Sequence, residues 1–283
     1  MHLHLHDITK ITAVGLLLAA SAVWPHCGFA AADSKSKDKD RFTLVLDPGH
    51  GGKDYGCTGK LTNEKTIVLD VAKRLSELVE EKYGDSIEVV FTRSDDRFIT
   101  LQGRADIANK AGGDLFISIH VNSVDRRTRG RDKIHGASVY TVGLHKSDSN
   151  LAVAMRENSV IELEEDFSTT YQGFDPGSSE SYIIFELTQD RHIRQSLDIA
   201  SLIQGELTTS AGRADKGVRQ AGFWVLWATG MPSVLVELDF ICNPAAERFL
   251  NSSQGRQKCA QSLMNAFSTY YAKQHKPTEG AGH

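Results

Sequence analysis

The order of helical and strand patterns predicts an α/β fold, in which helices cover both faces of a mostly parallel, twisted β-sheet. Three segments rich in β-forming residues, at 42–47, 86–93 and 114–121, alternate with stretches whose apolar residues recur at helical spacing. The chain has 283 residues, of which 40% are hydrophobic and 24% are charged. This composition is typical of a globular protein, so we expect one domain with a sizeable core.

The elements can be assigned in chain order from these patterns. After the first strand we expect a glycine-rich turn at 48–59, helices at 63–84 and 101–113, further strands at 136–143, 222–228 and 232–240, and a closing helix at 253–274. Residues 148–212 break the rhythm with helical pattern and an acidic cluster, and we predict a helical insertion there. The predicted domain therefore spans 41–274, and the insertion is a candidate regulatory lid.

The two ends of the chain do not have the pattern of a fold. A basic residue, a short apolar run and small residues within 1–32 indicate a signal peptide, although an uncleaved N-terminal anchor is the alternative. We expect a disordered linker at 33–40 and a flexible tail at 275–283. The mature protein would be exported, to the periplasm or the cell wall, with no transmembrane segment after cleavage. The formal net charge of -4 argues against a nucleic-acid partner.

Several strands end in side chains suited to metal chemistry. His50 follows the first strand, His120 lies at the end of the third, and Glu64 opens the long helix. Two imidazoles and one carboxylate leave a fourth position open, as in catalytic zinc sites. Glu237 interrupts the apolar strand "VLVELDF", where burial of a carboxylate is costly unless it is paired or near a metal. A second carboxylate near bound water could act as a general base, so these residues indicate a metal hydrolase.

The motifs themselves resemble a known family. In chain order "VLDPGHGGKDYGCTG", "NEK", "RADIANKAGGDLFISIHVNS", "GVRQAGFWVL" and "MPSVLVELDFICNP" are similar to the zinc-dependent N-acetylmuramoyl-L-alanine amidases of the cell wall. The resemblance runs from Phe42 to Tyr271. It implies a phosphorylase/hydrolase-like fold and the cleavage of stem peptides from peptidoglycan during wall remodelling or daughter-cell separation. It places one Zn²⁺ on His50, Glu64 and His120, and makes Glu237 the catalytic residue.

Two other functions stay open beside the amidase. A non-catalytic peptidoglycan-binding or activator protein could keep the same fold, and a zinc peptidase acting within the stem peptide would share the site chemistry. The presence of all four central residues argues against the first alternative. Product analysis would separate the second from an amidase.

Other polar residues are candidates for supporting roles around this site. Asp47, Asn122 and Ser123 could orient the imidazoles, although ordinary turn capping explains them equally well. Arg93, Arg104 and Arg219 could bind stem-peptide carboxylates or form ion pairs that stabilise the fold. Asp239 shares a strand face with Glu237 and could raise the pKa of that carboxyl group.

The insertion invites a regulatory hypothesis. In some relatives the equivalent segment is an autoinhibitory helix that covers the zinc and is displaced by an activator protein. Here Glu162, Glu164 or Glu165 could occupy the open zinc position. The alternative is a solvated acidic surface over a substrate groove. Nothing in the sequence demands a dimer, so we expect a monomer.

Overall fold

A six-stranded sheet forms the centre of the computed structural model, which describes residues 41–187 and 192–275. Its strands are β1 (Phe42–Pro48), β2 (Ile87–Phe91), β3 (Leu115–Asn122), β4 (Ala137–Val142), β5 (Asp215–Ala221) and β6 (Ser233–Phe240). The strand order is β2-β1-β3-β6-β4-β5. The strands β1, β2, β3 and β6 are parallel, whereas β4 pairs antiparallel with β6 and parallel with β5. The predicted mostly parallel sheet is confirmed.

The helices connect these strands and lie on both faces of the sheet. They are α1 (Glu64–Tyr83), α2 (Leu101–Ala111), α3 (Asp148–Asn158), α4 (Phe167–Thr170), α5 (Ile183–Leu187), α6 (Ile193–Thr209), α7 (Trp224–Trp227), α8 (Pro244–Asn251) and α9 (Ser253–Gln274). Among the described residues, no helix combines the length and the apolar character needed to cross a membrane. The predicted signal peptide (1–32), the linker (33–40) and all of the predicted tail except residue 275 lie outside the described residues.

Each face of the sheet has its own hydrophobic core. On one face α1, α6 and α9 cover the sheet, and residues such as Leu75, Ile203 and Phe267 are fully buried there. On the other face α2, α3 and α7 pack over a second cluster that contains Phe116 and Tyr140. Two closed faces explain why β3 and β6 are buried along their whole length, as is typical of central parallel strands.

The structure corrects two predicted elements. Residues 222–228 do not form a strand: the strand at this position is β5, and the apolar run after it forms the short helix α7. The predicted insertion at 148–212 is also too long, because α6 packs against α9 and β4 and belongs to the core. The part that lies over the second face is the segment 148–187, which contains α3, α4 and α5 and which we call the covering segment.

Candidate metal centre

Three side chains from separate elements meet at the carboxyl ends of the central strands. His50 follows β1, His120 lies near the end of β3, and Glu64 is the first residue of α1. The side chain of Asn63 caps α1 by accepting a hydrogen bond from the backbone N–H of Thr66 at 3.2 Å. The cap starts the helix one residue before Glu64, so this carboxylate lies at the positive end of the helix dipole.

A fourth side chain, Glu157 of α3, completes the cluster. Oε1 of Glu64 lies 3.1 Å from both Nε2 of His50 and Nδ1 of His120. Oε2 of Glu157 lies 3.2 Å and 3.1 Å from the same two nitrogens. Four ligands on a tetrahedral ion, each at about 2.0–2.1 Å, would be about 3.3 Å apart. The spacing therefore fits a tetrahedral metal ion, and these four buried residues could hold one.

Two of the clustered atoms are buried without a hydrogen bond. Within residues 41–187 and 192–275, Nε2 of His50 and Oε2 of Glu157 have no hydrogen-bond partner. A buried polar atom without a partner costs about 1–3 kcal/mol, so a pair of them aimed at one point needs an explanation. Coordination of a cation would satisfy both lone pairs.

Asp54 determines which nitrogen of His50 is available. Oδ2 of Asp54 lies 2.7 Å from Nδ1 of His50, and Oδ1 accepts a hydrogen bond from the backbone N–H of Gly56. With its proton held on Nδ1, His50 presents the lone pair of Nε2 to the cluster. The sequence analysis missed Asp54, although its position four residues after His50 in a glycine-rich turn was a usable signal.

Backbone donors and close glycine contacts fix the rest of the centre. Glu64 accepts hydrogen bonds from the backbone N–H groups of Cys57 (2.7 Å) and Val121 (2.8 Å). A Cβ atom at Gly49 would lie 2.4 Å from Cε1 of His120, and one at Gly56 would lie 2.6 Å from Oε2 of Glu64. Only glycine allows the backbone to approach these ligands so closely.

The electrostatics of the cluster favour a positive charge at its centre. Burial lowers the pKa of His50, but the charge of Glu64, the hydrogen bond with Asp54 and the nearby carboxylate of Glu157 outweigh burial and raise that pKa well above its usual value. Burial likewise lowers the pKa of His120, yet Glu157 and Glu64 raise it to about 9. The surrounding carboxylates thus stabilise a cation at this point, which is the environment that a divalent metal requires.

Glu237 lies next to the cluster as the candidate base. It is fully buried, and in the sheet register it is the partner of His120 on the neighbouring strand. Burial, together with the charges of Glu157 and Glu64, outweighs the charge of Arg156 and raises the pKa of Glu237 to about 8. In the described part of the chain its Oε2 has no hydrogen-bond partner. A carboxylate with a raised pKa is suited to accept and then return a proton near neutral pH.

A family model described as N-acetylmuramoyl-L-alanine amidase matches residues 44–269. The chain belongs to this family. The amidase is 32% identical over 271 residues to AmiA of Salmonella typhimurium, a match that covers 93% of this chain and 89% of AmiA. It is 34% identical over 238 residues to AmiA of Escherichia coli, covering 83% and 78% of the two chains. The solved amidase AmiC2 of Nostoc punctiforme superposes with a TM-score of 0.57 at 26% identity, over 81% of this chain and 97% of AmiC2.

Arg93 and Arg104 make contacts that stabilise the fold of the amidase, which was the alternative to a role in substrate binding. Both are buried. Arg93 donates to the carbonyl oxygens of Pro48, Gly49 and Lys65, and Arg104 donates to those of Pro48 and His50 and forms an ion pair with Asp47. Their donors are used inside the fold, so the predicted contact with substrate carboxylates is corrected for both. Asp47 also accepts hydrogen bonds from Thr92 and Ser118, and it anchors β1 rather than an imidazole.

Asn122 and Ser123 show the turn capping that was the alternative to a role beside the imidazoles, whereas Asp239 makes other contacts than the one expected. Oδ1 of Asn122 accepts a hydrogen bond from the backbone N–H of Ser123, which is local turn capping. Asp239 forms an ion pair with Arg213 at 2.8 Å and accepts hydrogen bonds from backbone N–H groups. The groups that shift the pKa of Glu237 are instead Arg156, Glu157, Glu64 and His120.

The three glutamates expected at the metal do not reach it. Glu162 and Glu165 are exposed, and Glu164 accepts hydrogen bonds from the hydroxyl of Tyr171 and the backbone N–H of Leu101. The carboxylate at the centre of the amidase belongs to Glu157, which precedes them by five to eight residues and lies in the last turn of α3. Glu157 was not predicted as a ligand, because the sequence does not show that α3 ends directly after this residue.

Arg156 extends the contact made by Glu157. Its guanidinium lies 2.8 Å from Oε1 of Glu157 and 3.2 Å from Oε1 of Glu237, and it donates to the carbonyl oxygen of Ser123 at 2.7 Å. The covering segment therefore contacts both the metal cluster and the candidate base of the amidase. The sequence analysis missed this residue as well.

Proposed function

We propose that this amidase hydrolyses the amide bond between the lactyl group of N-acetylmuramic acid and L-alanine in peptidoglycan, using Zn²⁺. One observation carries the proposal: the lone pairs of His50, Glu64 and His120 converge at one point beside the buried carboxylate of Glu237. The donor set of two imidazole nitrogens and carboxylate oxygen matches what zinc prefers in hydrolases. The substrate is inferred from the family to which the chain belongs.

The mechanism follows from the positions of the chain's own groups. When bound, zinc supplies Lewis-acid polarisation of the scissile carbonyl and a lowered pKa for nearby water. Glu237 accepts one proton as water attacks the lactyl carbonyl carbon, and it then passes that proton to the departing alanine nitrogen. A C–O bond forms, the C–N bond breaks, and the products are a lactyl carboxylate and a free peptide amine. Asp54 holds His50 in the required tautomer throughout.

Product analysis tests the proposal against a peptidase that acts within the stem peptide. Purified muropeptides would be incubated with the protein and zinc, and the products would be identified by mass spectrometry. An amidase releases the intact stem peptide with a free N-terminal alanine and leaves the lactyl carboxylate on the sugar. New termini inside the stem peptide would instead establish a peptidase. Binding of muropeptide without any product, by the wild type and by Glu157→Ala alike, would favour the binding-protein alternative.

The state that the structure describes is best explained as an inhibited one. We propose that Glu157 takes the fourth position on the metal and that Arg156 neutralises Glu237, so that substrate enters only in the minor fraction of molecules in which α3 has moved. Contacts at the surface would hold α3 and the turn after it in place, including the hydrogen bond from Lys53 to the carbonyl oxygen of Leu163. An activator protein that binds the covering segment would break these contacts and release α3.

The proposed site of action is outside the cytoplasm, which cell fractionation would test.

A further inference from the structure

A cleft of about 1050 Å³ lies beside the metal centre, between α3 and the loop that follows β3. Apart from Arg156, four basic side chains line it, and we call them the cationic rim: Arg126, Arg131, Lys216 and Arg219. Arg126 and Arg131 come from the loop after β3, whereas Lys216 and Arg219 come from β5. Two separate parts of the fold thus place positive charge on one cleft.

The cationic rim is not neutralised by the protein. Within the described ranges 41–187 and 192–275, none of its four residues has a carboxylate within ion-pair distance. Arg219 uses two nitrogens on neutral acceptors, the side chain of Asn150 and the carbonyl oxygen of Lys216. The chain as a whole carries a formal charge of -4. The positive charge is therefore a local feature and does not reflect a basic protein.

The acidic residues of the cleft are mostly engaged elsewhere. Three of the four have basic partners: Asp54 with His50, Asp125 with Arg127, and Glu157 with Arg156. Asp125 also lies within electrostatic reach of Arg131 and offsets part of the positive charge at that end of the rim. Glu162 is exposed on the covering segment and would leave the cleft when that segment moves. The cleft thus attracts anions, and more strongly in the open state.

The hydroxyl of Tyr140 is a second polar group that faces the cleft. Tyr140 is fully buried, and its hydroxyl lies near the side chains of Ser138 and Arg219 without a well-formed hydrogen bond among the described residues. In the sheet register Tyr140 is the partner of Arg219, and it lies two residues from Ser138, the partner of Glu237. Tyr140, Arg219 and Glu237 therefore share one face of the sheet. A ligand group near Arg219 would be within reach of this hydroxyl.

We propose that the cationic rim, with the hydroxyl of Tyr140, binds free carboxylates of the peptide part of the substrate. This inference rests on the proposed function. The strand β4 separates β5 from β6, and Arg219 is offset from Glu237 by two residues along the strands, so their backbones lie about 12 Å apart. Because an extended peptide advances about 3.3–3.6 Å per residue, the recognised carboxylates lie within about four residues of the scissile amide. The rim thus selects peptides that carry negative charge close to the sugar.

The rim also connects recognition to the covering segment. Asn150, which occupies one nitrogen of Arg219, belongs to α3. Displacement of α3 would free that donor for a charge-assisted hydrogen bond, which is stronger than a bond to a neutral amide. Substrate carboxylates and α3 thus compete for Arg219.

Binding of two matched peptides tests this proposal. A short muramoyl peptide with free carboxylates and the same peptide with those carboxylates amidated would be titrated by calorimetry into the Glu157→Ala, Glu237→Gln double variant, in which the proposed block by Glu157 is removed. We expect the free-carboxylate peptide to bind about tenfold more tightly. The double variant Arg219→Gln with Lys216→Gln should lose that preference, as should Arg126→Gln with Arg131→Gln. Arg219→Lys should keep part of it. Lys73→Gln, an exposed residue of α1, is the charge-matched control and should change nothing.

The outcomes separate this proposal from the proposed function. Equal binding of the two peptides, absence of binding, or a preference that survives both double variants would overturn the rim proposal. Cleavage of both peptides by the wild-type protein, run in parallel, tests the amidase. Cleavage without a carboxylate preference would leave the amidase in place and remove the rim. Tighter binding of the free-carboxylate peptide without cleavage of either peptide would support the rim and contradict the amidase.

Discussion

Glu157 contacts both imidazoles through one oxygen, while its neighbour Arg156 contacts the candidate base. If this pair closes the site, Glu157→Ala should raise the rate of stem-peptide release about tenfold or more, because a carboxylate that competes with substrate is removed. The measurement is the initial rate on soluble muropeptide. Glu165→Ala, an exposed carboxylate on the same segment that does not line the cleft, should leave the rate unchanged. A lower rate in Glu157→Ala at full metal content would make Glu157 a needed ligand and not an inhibitor.

Asp54 acts on the metal through His50. Its replacement in Asp54→Asn removes the charged acceptor of Nδ1–H, so the imidazole is less well oriented and less basic. We expect metal affinity to fall by about 10–100-fold. Competition with a chromophoric chelator measures this directly. As a control, Asp85→Asn, in the exposed turn after α1, should bind metal with the affinity of the wild type. An unaltered metal affinity in Asp54→Asn would contradict the role of Asp54 in orienting His50.

Asp47 gives a pH-dependent prediction. Burial raises the pKa of this carboxyl, but Arg104, Thr92 and Ser118 outweigh burial and hold the pKa below its usual value. The pKa of Asp47 is thus lower in the folded than in the unfolded protein. Its ionised carboxylate therefore stabilises the fold above the unfolded pKa of about 3.9, and this stabilisation is lost as the pH falls through the folded pKa. Asp47→Asn should therefore cost about 3 kcal/mol at pH 7. The difference in the free energy of unfolding between variant and wild type, measured by urea unfolding at several pH values, should become smaller below about pH 4. A difference that stays constant from neutral to acid pH would contradict this prediction.

At the scale of elements, α9 is the helix on which the first face of the sheet depends. Phe267 of α9 is fully buried in the core of this face, where its ring centroid lies 5.8 Å from that of Phe42 and 6.0 Å from that of Tyr83. Phe267→Ala should lower the free energy of unfolding by about 3–5 kcal/mol, because it leaves a cavity in a closed core. Urea unfolding measures this, with the exposed Lys258→Ala on the same helix as control. A loss below about 1 kcal/mol would mean that the core readily collapses around the missing ring.

The elements also show where sequence patterns mislead. The apolar run 222–228 resembles a buried strand, but its apolar residues are buried in the short helix α7 against α2. The true strand β5 has the sequence "DKGVRQA" and is only partly buried, since it forms an edge of the sheet. An edge strand loses the apolar signal on which pattern reading depends.

At the scale of the whole molecule, the metal centre was predictable because its residues lie at strand ends. Parallel strands bring their carboxyl ends together, so His50 and His120 converge in any fold of this class. Glu157 and Arg156 could not be placed from sequence, because their position depends on how α3 packs across the second face. Arg93 and Arg104 were misread for the same reason, since only tertiary contacts show that their donors are consumed by backbone carbonyls.

The most direct test of the account is the metal dependence of stem-peptide release. The protein would be stripped with a chelator, assayed on muropeptides, and assayed again after one equivalent of Zn²⁺ is restored, beside a metal-loaded Glu237→Ala variant. We predict that release disappears on stripping and returns with zinc, and that the variant binds zinc normally but releases no stem peptide. Release that persists in the stripped protein, or in the zinc-loaded variant, would contradict the proposed roles of the metal centre and of Glu237.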